Sequence, residues 1–322
     1  MFSFQVLNFT INQYHESEME NQTIVYMLVL NGLSDRPSLP LFLVFLLIYL
    51  MTVTGNLLIL LLIFTDSHLH TPMYFFLGTL ACLDMSYSSV TVPRMLFDLL
   101  TGLRIISVPA CITQFYFFLF FAVSEASVLA VMSYDRYIAI CRPLHNIQMM
   151  RWKVCVQLVS SMLGFCAVHA LVHTLLLTKL TFCKSNTLQS FFCDLPQLLQ
   201  VSCSDTLVNV VLIFIFAILF GGVILGVTFY PYITIIRTVL KIPSKQMRSK
   251  AFSTCFSHLT VVFIFYSTSF FNYLRSKVSD QHTEDKVASV FYSIFIPFLN
   301  PLIYSLRNQE LKTSLRKALQ RK

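Results

Sequence analysis

The chain has 322 residues, of which 56% are hydrophobic and only 12% charged. An ordinary soluble domain carries about 25% charged residues, so a soluble globular protein is excluded. The apolar runs are long and unalternated, which favours helices over an outer-membrane-type barrel and predicts spans of roughly 20 residues each. A net charge of +8 is then explained by membrane topology, and no nucleic acid is expected as a partner.

Residues 1–39 form the first segment. Glu16, Glu18 and Glu20 interrupt it, and it has neither a basic n-region nor an apolar h-region. No signal peptide is therefore expected, and the first span serves as the insertion signal. Two glycosylation sequons lie here, at Asn8 and Asn21, with Asn21 the better candidate. Seven spans are predicted at about 40–64, 73–97, 111–135, 154–178, 207–236, 252–274 and 287–306.

An odd number of spans puts the termini on opposite sides. With the N-terminus outside, the inner segments hold Arg136, Arg142, Arg151 and Lys153, then Arg237, Lys241, Lys245, Arg248 and Lys250. They also hold Arg307, Lys312, Arg316, Lys317, Arg321 and Lys322, which makes 15 of the 23 basic residues. The positive-inside rule thus predicts an extracellular N-terminus and a cytoplasmic C-terminus, and attraction to anionic membrane lipids follows from the same bias.

Charge inside the spans is rare. Asp84 in span two and Glu125 in span three are costly there and mark a functional site facing the interior. That site is read as a proton or substrate relay, as a shared sodium or proton site that biases a conformational equilibrium, or as a polar clasp between helices. Asn56 in span one and Asn300-Pro301 in span seven are its expected hydrogen-bond partners, and Pro301 permits a kink. On span three, Phe115, Phe118, Leu119, Ala122 and Glu125 fall on one stripe, a pattern that packing alone accounts for. The span ends in MSYDRYIAIC (Met132–Cys141), where Asp135 and Arg136 are adjacent. His169 and His173 in span four are i,i+4, but with no third ligand apparent they are expected to pack rather than to hold metal.

Four of the nine cysteines, Cys82, Cys155, Cys166 and Cys255, lie in spans as small apolar side chains, and Cys141 is near the inner face. Cys111, Cys183, Cys193 and Cys203 fall on the outer side. They allow three disulfide connectivities, between which spacing does not choose. No nucleophile–base set, phosphate-binding glycine loop or metal motif appears, so an enzyme is not expected. After span seven, Leu311, Leu315 and Leu319 recur at i+4 among Lys and Arg, predicting an amphipathic helix on the membrane surface within 307–322.

Several longer motifs occur in order along the chain. They are Gly55-Asn56, LHTPMYFFL (Leu69–Leu77), MSYDRYIAICRPL (Met132–Leu144), SCSDT (Ser202–Thr206), KAFSTCFSHLTVV (Lys250–Val262) and PFLNPLIYSLRN (Pro297–Asn308). Together they cover the chain from about Asn21 to Lys322, and they resemble an odorant receptor of the rhodopsin-like G-protein-coupled receptor family. Two departures stand out. Pro231-Tyr232 replaces the Ser-Tyr often found in span five. Ser190 stands where many members have His, which removes an imidazole that copper-assisted binding needs.

The resemblance implies a seven-transmembrane helix bundle in the plasma membrane of olfactory sensory neuron cilia. It implies binding of small, mostly apolar odorants and activation of a stimulatory, olfactory-type heterotrimeric G protein that raises cAMP. It implies bridges Cys111–Cys193 and Cys183–Cys203. It makes Phe118, Leu119, Ala122, Phe216, Phe220, Tyr266 and Tyr273 candidate ligand contacts. It also makes Asp135, Arg136, Tyr137, Tyr232, Asn300, Pro301 and Tyr304 candidate switch residues. Phe118 stands where amine receptors carry Asp, so a neutral ligand is expected, with an acidic one left open by Arg275 and Lys277, which are read first as rim charges. The rival reading is a secondary transporter using Asp84 and Glu125, against which stand the odd span number and the absence of an internal repeat.

Overall fold

The computed structural model describes residues 25–34, 36–142, 149–183, 185–241, 243–244, 248, 256, 258–268, 286 and 289–320. The candidates Asn8, Asn21 and Tyr273 lie outside the described residues, as do Lys250 and most of the loop before span six.

Span one is α1 (Leu39–Thr65), with Pro40 in its first turn, where a missing N–H costs nothing. Its lipid face carries Leu43, Val44, Leu47, Leu50, Leu57, Leu61 and Phe64, all exposed. The stripe it buries is Phe45, Thr52, Asn56, Ile59 and Leu62. Asn56 and Thr52 are thus turned inward while most leucines face outward, an arrangement suited to a hydrocarbon solvent.

Span two is α2 (Pro72–Thr101), which buries Asp84, Ser88 and Thr91 and ends at Gly102. Gly102 has φ 72°, and a Cβ there would meet the Pro37 ring at 3.0 Å, so glycine alone fits this turn. Span three, α3 (Val108–Cys141), is the longest helix so far and the hub of the bundle. It packs against α2, α4 (Trp152–Leu177) and the second half of span five.

A short helix, α5 (Leu195–Gln200), follows in the loop. Span five runs from α6 (Leu207–Phe216) through five π-helical residues, Ala217–Gly221, into α7 (Gly222–Leu240). Span six is described as α8 (His258–Thr268). Span seven begins with a π-helical turn, Phe291–Phe295, and continues as α9 (Ile296–Arg307). Next comes α10 (Gln309–Gln320), which packs on α1. Among the described residues, five helices are long and apolar enough to span a membrane, and two shorter apolar ones stand at spans six and seven.

A small sheet is among the elements that the sequence reading does not anticipate. Three short strands, β1 (Met27–Leu30), β2 (Ile105–Ser107) and β3 (Thr187–Leu188), form a sheet at one end of the bundle. β1 is central, antiparallel to β2 and parallel to β3, with Leu28 opposite Ile106 and Val29 opposite Thr187. Leu28, Leu30 and Leu188 are fully buried beneath it, so the segment before span one and two loops share one small core.

Candidate functional site

At the sheet end, a lid is built from the loop between spans four and five. Cys193 is bridged to Cys111 in the first turn of α3, with 5.5 Å between Cα atoms, and Cys183 is bridged to Cys203 within the loop. Gln114, one turn along α3, adds a second tie. Its Oε1 accepts from the Cys193 N–H at 3.0 Å while its Nε2 donates to the Val90 carbonyl of α2 at 3.0 Å. Asp194 caps α5, its carboxylate accepting the Leu195 N–H at 2.8 Å. Burial pushes the Asp194 carboxyl up to about 6, against the pull of that N–H.

Phe191 and Phe192, beside the bridge, turn down into the bundle and are fully buried. The Phe192 ring lies 4.7 Å from Phe118 and 6.2 Å from Tyr292, and Phe118 is 5.3 Å from Tyr87 and 6.1 Å from Tyr292. Phe118 is therefore set in an aromatic block joining spans two, three and seven to the lid, and only 7% of it is exposed. Ala122 packs against the same cluster one turn deeper, and Leu119 faces the cluster around the disulfide.

The other ligand candidates fall elsewhere. Phe216 packs its ring against His169 at 4.6 Å and His173 at 5.4 Å, and Phe220 stacks on Phe165 at 4.1 Å. Both thus contact span four. On α8, Tyr266 shares a hydrogen bond with Thr228 of α7 at 3.2 Å, with Phe229 beside its ring.

Deeper in the bundle lies a polar centre. Asn300 Nδ2 donates to both oxygens of Asp84, at 2.9 and 3.1 Å. Glu125 reaches the Asp84 carboxyl from α3, while its Oε1 is buried without a hydrogen-bond partner. Two acids in contact inside a low-dielectric bundle need a positive partner, either a shared proton or a small cation.

Asn56 does not join this centre as expected. Its Nδ2 donates to Thr52 O at 3.0 Å and to Pro297 O at 3.3 Å. The reason is helix arithmetic: the Pro297 carbonyl would normally receive the amide of residue 301, and Pro301 has none. The neighbouring Gly55 makes the approach possible, since a Cβ there would sit 3.2 Å from the Pro301 ring.

At the far end of α3, Asp135 and Arg136 form an ion pair, with Arg136 Nε donating to Asp135 Oδ2 at 3.0 Å. Asp135 is buried, and the Tyr137 ring lies 6.0 Å from the Arg142 guanidinium. Tyr232 on α7 shares a hydrogen bond with His258 Nδ1 on α8, stitching spans five and six together. His258 Nε2 and the buried Tyr304 hydroxyl have no hydrogen-bond partner among the described residues. Sequence reasoning does not single out His258, whose only signal is its place in the sixth-span motif.

α10 is fastened at the same end. Ser314 donates to Asp66 at 2.6 Å, and Tyr74 donates to Glu310 at 2.7 Å. The Ser314 hydroxyl, helped by the His68 N–H, holds the Asp66 carboxyl below its usual range. Leu311 is buried and Leu315 partly so, whereas Leu319 remains exposed.

A family model described as olfactory receptor matches residues 45–322. The chain is 48% identical over 306 residues to human Olfactory receptor 5B12, covering 94% of this chain and 96% of that relative. It is 48% identical over 304 residues to Olfactory receptor 1G1 of Gorilla gorilla gorilla, covering 94% and 97%. It is 46% identical over 307 residues to Olfactory receptor 5AR1 of Mus musculus, covering 95% and 99%.

Proposed function

The chain belongs to the olfactory receptor family, a family of multi-pass G-protein-coupled receptors rather than enzymes, and from that premise we propose how it signals. It takes small, mostly apolar odorants from the extracellular side and activates a stimulatory, olfactory-type heterotrimeric G protein, raising cAMP. In this orientation the disulfide-tied lid faces outward, and Asp135, Arg136 and α10 face the cytoplasm, where the basic residues concentrate. Asn8 and Asn21 then lie outside as glycosylation sites, and Arg316 and Lys317 on α10 meet anionic lipid headgroups. Olfactory cilia are the expected location.

The observation that carries this reading is the pairing pattern at the inner end. Arg136 is held by Asp135, and Tyr232 is held by His258. Signalling needs a ligand that prefers one of two helix arrangements and no covalent chemistry. Releasing both contacts frees Arg136 and Tyr137 to meet the G protein and lets span six swing away from span five. Tyr232 then turns toward Arg136. Asn300, Pro301 and Tyr304 carry the change along span seven, and Asp84 with Glu125 biases it by holding a sodium ion or a proton.

On the ligand side, Phe118, Leu119 and Ala122 form the wall of span three. Phe216 and Phe220 come from span five, and Tyr266 and Tyr273 from span six. The test is to express the chain with the olfactory-type Gα and record cAMP against an odorant panel. A ligand-dependent rise abolished by Arg136→Ala supports the receptor; ligand-coupled ion flux without G protein would support a transporter instead.

A further inference from the structure

Two buried imidazoles in span four are not used by the switch or by the polar centre. His169 and His173 project from the same face of α4 with ring centroids 4.8 Å apart, and only 9% and 3% of them is exposed. His169 Nδ1 has no hydrogen-bond partner among the described residues. A buried ring nitrogen without a partner from the described residues is uncommon, and a group arriving from outside the chain can supply one. The two imidazoles sit among aromatic side chains, the kind of lining that small-molecule sites combine with a few polar atoms. Phe216 stands edge-on to both imidazoles, and Phe220 stacked on Phe165 continues the wall.

Taking the odorant-binding reading above as given, we propose that His169 and His173 form the polar subsite of the ligand pocket and that it takes the hydroxyl group of a small alcohol. The choice of class follows from hydrogen-bond inventory. A neutral imidazole offers one donor and one acceptor, and which nitrogen carries the proton depends on its partner. A hydroxyl group likewise donates once and accepts, so it satisfies a facing imidazole in either tautomer. An ether or ester oxygen only accepts and leaves an acceptor nitrogen dry, and a hydrocarbon satisfies neither. The alkyl part of the alcohol lies along Phe216, whose ring swings off the two imidazoles to admit it.

The experiment uses the purified full-length receptor in lipid nanodiscs. Thermal stabilisation is measured for straight-chain alcohols from butanol to decanol, with heptyl methyl ether and nonane matching octanol in heavy-atom number. The wild type should favour alcohol over matched ether by about tenfold in half-saturating concentration, the equivalent of one well-placed hydrogen bond. His169→Leu should bring that ratio close to one. His169→Asn, which keeps a donor and an acceptor, should retain part of it and stands in if the leucine variant does not fold.

No alcohol preference in the wild type, or a preference that survives in His169→Leu, overturns the subsite. A parallel cAMP panel of esters, aldehydes, ketones and alcohols separates the two levels. Responses to other classes with none to alcohols sink the subsite and leave the receptor reading intact. Silence to every class counts against the receptor reading itself.

Discussion

Asn56 supplies the donor that Pro301 lacks, its side-chain amide bonding the Pro297 carbonyl across the interface between spans one and seven. A helix that carries proline in its interior leaves one carbonyl orphaned, and in hydrocarbon no water is at hand to satisfy it. The relationship is testable as a cycle. Asn56→Ala should lower stability in detergent by about 1 kcal/mol, the size of a hydrogen bond between membrane helices. In a Pro301→Ala background the backbone amide returns and the same substitution should cost almost nothing. Equal costs in both backgrounds, read from thermal unfolding, would dissolve the link.

Gly55 and Gly164 are both helical glycines with opposite surroundings. A side chain at Gly55 meets the rigid ring of Pro301, whereas nothing lies within 4 Å of a Cβ at Gly164. Gly55→Val should wedge span one off span seven and strip the receptor from the cell surface. Gly164→Ala should be neutral or stabilising by up to about 1 kcal/mol, because alanine restricts the unfolded chain. Surface expression and melting temperature check both.

Asp135→Asn removes the negative partner of Arg136. If the pair is a latch, basal cAMP should rise without odorant at matched surface expression, by several-fold if the pair supplies about 1 kcal/mol of the bias toward the silent state. A well-expressed but silent variant would mean that the ion pair stabilises the fold and nothing more.

Tyr266 holds Thr228 through its hydroxyl. Tyr266→Phe should right-shift responses to oxygenated odorants by about tenfold, the value of one hydrogen bond, and leave responses to apolar ones unchanged. Thr228→Val separates the two uses of the hydroxyl. If Tyr266 acts on ligand, the valine variant leaves it free to do so and sensitivity is kept. A parallel loss in both variants would assign the hydroxyl to holding spans five and six together.

Asp194 has a folded-state value of about 6, above the ordinary carboxyl value near 4 of an unfolded chain. A raised acid contributes stability that is fully present below about 4 and is lost as pH climbs through about 6. Asp194→Asn keeps the cap of α5 without the charge. It should therefore be more stable than wild type at pH 7, with the gap closing toward pH 4. The difference between the two melting curves across that range is the readout, and a pH-independent difference would contradict it.

Legibility in the sequence follows the strength of the physical signal. Spans one to five are plain, since an apolar run of roughly 20 residues fits little besides a membrane crossing. Helix α3 nevertheless continues to Cys141, past the predicted end, because its last turns rest on neighbouring helices rather than on lipid. The sheet is invisible: strands of two to four residues leave no periodicity, and their pairing joins residues far apart in the chain. Asp84 and Glu125 stand out because charge is so costly in a span, and Asn300 because buried carboxylates there call for an amide donor. Asn56 is matched to the wrong partner by side-chain reasoning because its acceptor is a backbone carbonyl, one that counting four residues back from Pro301 exposes. Phe192 escapes notice, although a Phe-Phe pair beside a bridged cysteine is where a lid can reach inward. Leu319 shows the limit of periodic reading, since the stripe predicts it but the bundle ends after Leu315 and leaves it facing outward.

The central position of β1 has a practical bearing on how this receptor is handled. Receptors are commonly followed by labels fused ahead of the first span, on the assumption that this stretch is a passive tether. Here four residues of it, Met27–Leu30, are the middle rung between the loop after span two and the lid. A fluorophore fused close to Val25 would ride on the lid itself. Its bulk would bear on the strand pairing that ties the segment before span one to the lid.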